Sequence, residues 1–164
     1  MYSNRFAVIS LLVLLSFGIL SAYSDLGGGW CQCTGCADCE DALNNNTACT
    51  LGAITDGNDY NVPSTCIDNP ENYTDKTLDL NGSTIAHAGG VGFIGIQAIN
   101  RTNITIENGK ITGFINMGVY LNNCTNATIR NMTVTNINIG EGIHIEHLSS
   151  FVNISNVTVE SFTD

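Results

Sequence analysis

The chain has 164 residues, a formal net charge of −10 and only five lysines and arginines. No basic face exists to neutralise phosphates, which excludes nucleic acid as a partner. The same acidity opposes docking on anionic membranes or polyuronates.

Residues 1–24 have the layout of a secretory signal peptide, with Arg5, an apolar run from Ala7 to Leu20, and small residues Ala22 and Ser24 at an A-x-A-like cleavage site. The run is shorter than the ~20 residues a spanning helix needs, so no membrane span is expected once it is removed. Roughly 140 residues then remain, enough for one domain with a modest core.

Residues 25–76 form a cysteine-rich segment opened by "CQCTGCADC". Cys33, Cys36 and Cys39 have the spacing that opens a ferredoxin cluster loop, but the expected fourth ligand is missing. In an exported chain the even set Cys31, Cys33, Cys36, Cys39, Cys49 and Cys66 reads as three disulfides, whose connectivity the spacing leaves open. A loop closed from Cys49 to Cys66, for example, would contribute about 3 kcal/mol. Cys124 is left over, as a free or intermolecular thiol. "CADCEDALNN" reads as a short amphipathic helix, and "CTLGAIT" and "STCI" as strands beside the Asp56-Gly57 and Asn69-Pro70 turns. The segment is expected to cap the strands C-terminal to it.

From residue 77 to 164 the sequence repeats. "NITIENGKITGF", "NATIRNMTVTNI" and "FVNISNVTVESF" align, with "TLDLNGSTI" as a looser first copy. The aligned columns are Leu80, Ile106, Ile129, Ile154 and Ile85, Ile111, Val134, Val159, both stepping by 26, 23 and 25 residues. "GIQAIN", "GVYLNN" and "GIHIEH" recur between them. Apolar residues alternate within each copy, so short strands with one buried face are expected. Strands stacked on like strands every ~25 residues describe a parallel β-helix solenoid, because a lone repeat buries too little to fold alone. The last coil stops incomplete at Asp164.

Asn108, Asn131 and Asn156 share one column at the bend after the first strand and predict an internal asparagine ladder. Ten N-x-S/T sequons are present. Those at Asn72, Asn100, Asn103, Asn123, Asn126 and Asn153 are glycosylation candidates. Asn131 and Asn156, expected to point inward, should stay unmodified.

The columns "LDLNGSTI", "NITIENGKI" and "NATIRNMTV" resemble the repeats of right-handed parallel β-helix proteins. These are the pectin-lyase-like superfamily, especially exported NosD-like surface proteins. The resemblance spans about Cys31 to Asp164, although Leu80 stands where that family often has Cys. It implies an all-β, right-handed solenoid with a disulfide-stapled N-terminal cap, and carbohydrate as ligand class.

Alternation places two polar sets outside. On the first sheet the outward columns are Asp79, Thr105, Thr128, Asn153 and Asn81, Glu107, Arg130, Ser155, with Glu107 and Arg130 expected as an exposed ion pair. Lyases and hydrolases of the superfamily need clustered carboxylates, and no paired-Asp motif occurs here, so no catalytic residue is assigned. The alternative of a lyase or hydrolase needs catalytic coils beyond Asp164. On the other sheet Gln97, Tyr120, His144 and Glu146 form the candidate ligand face, Tyr120 offering a ring on which a sugar can stack. Another alternative is a periplasmic metal-binding accessory, through His144, Glu146 and His147. No cofactor is implied. The expected function is a secreted or cell-surface recognition or structural module.

Overall fold

The computed structural model describes residues 23–89 and 93–160. The leader therefore lies outside the described residues, apart from its last two positions. Among the described residues no helix is long and apolar enough to cross a membrane.

Among the described residues, thirteen strands and one helix make a parallel β-solenoid of about five turns. The chain opens with β1 (Ser24–Gly27) and β2 (Trp30–Cys33), paired antiparallel, then α1 (Cys36–Asn44). Strands β3 (Gly52–Thr55), β4 (Tyr60–Val62), β5 (Ile67–Asp68), β6 (Thr77–Asp79) and β7 (Thr84–His87) come next. The regular coils then alternate β8 (Ile94–Ile99), β9 (Thr105–Thr112), β10 (Met117–Asn122), β11 (Thr128–Thr135), β12 (Glu141–Glu146) and β13 (Asn153–Glu160).

Two sheets result. The first runs β1-β2-β3-β6-β9-β11-β13, and the second runs β12-β10-β8-β5. Every pairing after β1–β2 is parallel, so β2 and β3 of the cysteine-rich segment already belong to the solenoid ladder. Strand β9 is long enough to pair with β6 through Thr105–Glu107 and with β7 through Lys110–Thr112. In the earlier coil the same path is broken by the Asn81-Gly82 turn, where Gly82 has φ of 83°.

That turn corrects the repeat alignment. Leu78, not Leu80, pairs with Ile106, and Asp79 pairs with Glu107 rather than with Thr105. Ile85 still pairs with Ile111. The first copy carries two extra residues inside the repeat, which a gapless alignment shifts onto the first column.

The alternating aliphatic residues fill the interior. Ile104, Ile106, Ile111, Val119, Leu121, Ile129 and Val134 are fully buried. Gly118 lies near the start of its second-sheet strand, and a Cβ there would lie 2.4 Å from Val134 Cγ1 and 2.5 Å from the Gly142 carbonyl oxygen. A Cβ at Gly95 would meet the same crowding, 2.5 Å from the Gly118 carbonyl oxygen and 2.7 Å from Ile111 Cγ2. On the last coil the same apolar positions are uncovered: Ile154 is 45% exposed and Val159 42%.

The cysteine pairs are Cys31–Cys49, Cys33–Cys39 and Cys36–Cys66. Cys49 and Cys66 thus close separate loops and not the one between them. Cys36–Cys66 ties the start of α1 to β5, while Cys33–Cys39 folds the helix back on β2. Three such bridges indicate an oxidising environment. Cys124 is free but buried, its Sγ 3.4 Å from the Ala98 carbonyl oxygen, which removes it from intermolecular pairing.

Lys76 is only 3% exposed, and its ammonium donates to the carbonyl oxygens of Leu43 and Asn45. These are otherwise open acceptors at the end of α1, so the lysine anchors the helix to the first full coil. Burial lowers its pKa from the usual lysine range.

Candidate functional site

The solenoid bends at asparagines. Asn100, Asn103, Asn108, Asn123, Asn126, Asn131 and Asn156 all have positive φ, between 50° and 60°, the left-handed region that Asn tolerates better than other chiral residues. Their side chains form three ladders. Asn156 Nδ2 donates to Asn131 Oδ1 and Asn131 Nδ2 to Asn108 Oδ1, each at 2.9 Å, and Asn108 Nδ2 ends the row on Asp79 Oδ1. Asn126 donates to Asn103 at 2.7 Å, and Asn103 to Asp75. Asn123 donates to Asn100 at 2.7 Å.

The expected ladder through Asn108, Asn131 and Asn156 is therefore present, but it is not internal: Asn131 and Asn156 are exposed. A left-handed residue at a convex bend turns its side chain out of the coil, and the amides then bond along the outer edge. The other two ladders, and the aspartates beneath two of them, escape sequence reasoning. Asp79 becomes legible only once the two-residue turn is placed.

On the first sheet Asp79, Glu107, Arg130 and Ser155 share a row. Arg130 Nε donates to Glu107 Oε2, and this bond raises the pKa of Arg130. The pair is exposed on one side only: the Glu107 side chain is 10% exposed and that of Arg130 51%. Asp79 Oδ1 accepts from Asn108 and from the Asn81 amide. Each of the three groups thus has a partner within the solenoid.

The second sheet presents a different row. Asp68, Gln97, Tyr120 and His144 lie in register on β5, β8, β10 and β12, with Ile99, Asn122 and Glu146 in the row beside them. Parallel pairing sets neighbours ~4.8 Å apart along the solenoid. Gln97 Nε2 donates to Asp68 Oδ1 at 3.0 Å. The rings of Tyr120 and His144 lie 5.6 Å apart, tilted by 39°. Tyr120 donates its hydroxyl proton to Glu146 Oε2, and Asn122 Nδ2 donates to the Tyr120 oxygen at 2.7 Å and to Glu146 at 3.2 Å. The Glu146 carboxylate raises the Tyr120 pKa, because it accepts the proton the phenol would have to lose.

His144 Nδ1 contacts Glu141 Oε2 at 2.5 Å. At the far end Glu40 of α1 accepts from the Asp68 amide, and burial raises its pKa. Gln97, Tyr120, His144 and Glu146 thus share one face in the expected columns. His147 is exposed and its side chain does not join them. Among the described residues no three His, Cys, Asp or Glu side chains come close enough to hold a metal ion. His144, Glu146 and His147 therefore do not meet at a common centre.

The four strands of this sheet carry no Lys or Arg. The face is flat, polar, acidic and aromatic at its middle. Such a surface can stack one pyranose ring and hydrogen-bond its hydroxyls.

No family model, curated protein or solved structure matches the chain.

Proposed function

We propose that the chain is an exported, N-glycosylated, right-handed parallel β-helix of the pectin-lyase-like kind, acting as a secreted or cell-surface recognition module. It takes neutral carbohydrate on the outer face of its second sheet. The observation that carries this reading is the network of Tyr120, Asn122 and Glu146 beside His144. A phenol whose proton is held by a carboxylate keeps its ring in one orientation, so little side-chain entropy is lost when a sugar stacks on it. The carboxylate and carboxamide groups at its rim supply acceptors and donors for sugar hydroxyls. Acidity of the face disfavours polyuronates and sulfated glycans.

A glycan array probed with the disulfide-intact protein tests the proposal. Neutral oligosaccharides should be retained, and Tyr120→Ala should lose at least ten-fold in binding while keeping its thermal transition. Retention of acidic glycans only, or equal binding by Tyr120→Ala, overturns it.

A further inference from the structure

Ten sequons look equivalent in the sequence, but the fold does not treat them equally. The acceptor in N-glycosylation is the side-chain nitrogen Nδ2, and eight of the ten already use it as a donor within the protein. Asn103, Asn123, Asn126, Asn131 and Asn156 donate to the next rung of a ladder. Asn45 donates to the Tyr23 hydroxyl, Asn72 to the Asn44 carbonyl and Asn81 to the Thr55 carbonyl.

Two sequons differ. Asn100 is the bottom rung of its ladder: its Oδ1 accepts from Asn123, its Nδ2 is free among the described residues, and the residue is exposed. Asn153 is not at a bend at all. It stands at the start of β13 in the outward row of Thr105 and Thr128, exposed and, among the described residues, without a side-chain bond. The hydroxyl residues of both sequons, Thr102 and Ser155, are exposed as well.

We infer that N-linked sugar is carried at Asn100 and Asn153, and that the eight other sequons stay unmodified in the folded protein. The co-substrate is a lipid-linked oligosaccharide. The Asn nitrogen forms a bond to sugar C1, the C1–O bond to the lipid pyrophosphate breaks, the pyrophosphate leaves with the electron pair, and the nitrogen loses one proton. A rung nitrogen meets this reaction badly for two reasons. Its amide is held flat against the next rung, and rungs ~4.8 Å apart leave an added pyranose pressed on the amides above and below. A sugar at Asn100 extends instead from the bottom of its row, and one at Asn153 from an open strand face.

The inference rests on the export part of the proposed function and not on the carbohydrate face. A protein that binds glycans yet carries sugar on a rung keeps that function and loses this inference.

The experiment is secretion of the full chain from a host that N-glycosylates, followed by glycopeptide mapping of the folded, disulfide-intact fraction. Sugar is expected at Asn100 and Asn153 alone. The double variant Thr102→Ala, Ser155→Ala retains both asparagines and should migrate like enzymatically deglycosylated wild type. Sugar on any of the eight other sequons in the folded fraction overturns the inference, as does a folded protein with no sugar at either Asn100 or Asn153.

Discussion

Asn131 is the centre of the longest ladder and separates two contributions that usually travel together. It donates to Asn108 and accepts from Asn156, and it holds φ at 52°. Asn131→Gly removes both hydrogen bonds but suits the left-handed backbone. Each bond contributes about 0.5–1.5 kcal/mol net, toward the lower end where water competes, so the pair is worth roughly 1–2 kcal/mol. Asn131→Ala removes the same bonds and must also hold a Cβ at positive φ, which costs about 1 kcal/mol more. Urea unfolding monitored by far-ultraviolet circular dichroism reads both. The expected order is wild type, then Gly, then Ala. If Gly matches wild type, the ladder contributes nothing; if Gly and Ala coincide, the backbone argument fails.

The double variant Cys36→Ala, Cys66→Ala opens a loop whose ends are 30 residues apart, and loop-closure entropy then gives a loss of about 3.6 kcal/mol, measured by chemical denaturation. Lys76→Met should lose about 1–3 kcal/mol, because two carbonyls at the end of α1 are left buried without a donor; near-wild-type stability would refute that role. Burial raises the pKa of Tyr60 and Tyr73, and the Glu146 bond that of Tyr120. The folded state therefore holds these protons longer than the unfolded chain. Their stabilisation is full below the ordinary phenol range and is lost as pH rises through the raised values. Absorbance titration at 295 nm should show these tyrosines ionising late, and Glu146→Gln should bring Tyr120 back toward the ordinary range.

Much of the solenoid was legible because its physics is periodic. Ile106, Ile129, Ile111 and Val134 repeat with alternating polarity, and only stacked strands bury such a pattern. The outward row of Gln97, Tyr120 and His144 comes from the same alternation. Bends were harder. A column of asparagines states that a left-handed corner recurs, but not which way its side chains point, and here they point outward. The offset at Leu78 was hidden because Asn81-Gly82 adds two residues within an otherwise regular coil. Disulfide connectivity was not legible, since six cysteines allow fifteen pairings and only the folded backbone brings Cys36 to Cys66. The strands β1, β2 and β4 are too short, and too broken by glycine or polar residues, to carry a periodic signal.

The candidate face gains meaning from what lies outside it. Glu107 and Arg130 satisfy each other, and Asp79 is held by Asn81 and Asn108. These three charged side chains of the first sheet are spent on partners within the solenoid itself. On the second sheet Tyr120 and His144 are half-buried, with the Tyr120 hydroxyl held by Glu146 and His144 Nδ1 held by Glu141.

The decisive measurement is a nuclear magnetic resonance titration of the isotope-labelled protein with a neutral oligosaccharide retained on the array. Ring protons of Tyr120 and His144 should shift most, and sugar C–H protons should move upfield as they enter the Tyr120 ring current. Shifts centred on Glu107 and Arg130, or none on either sheet, would contradict a carbohydrate site on the second sheet.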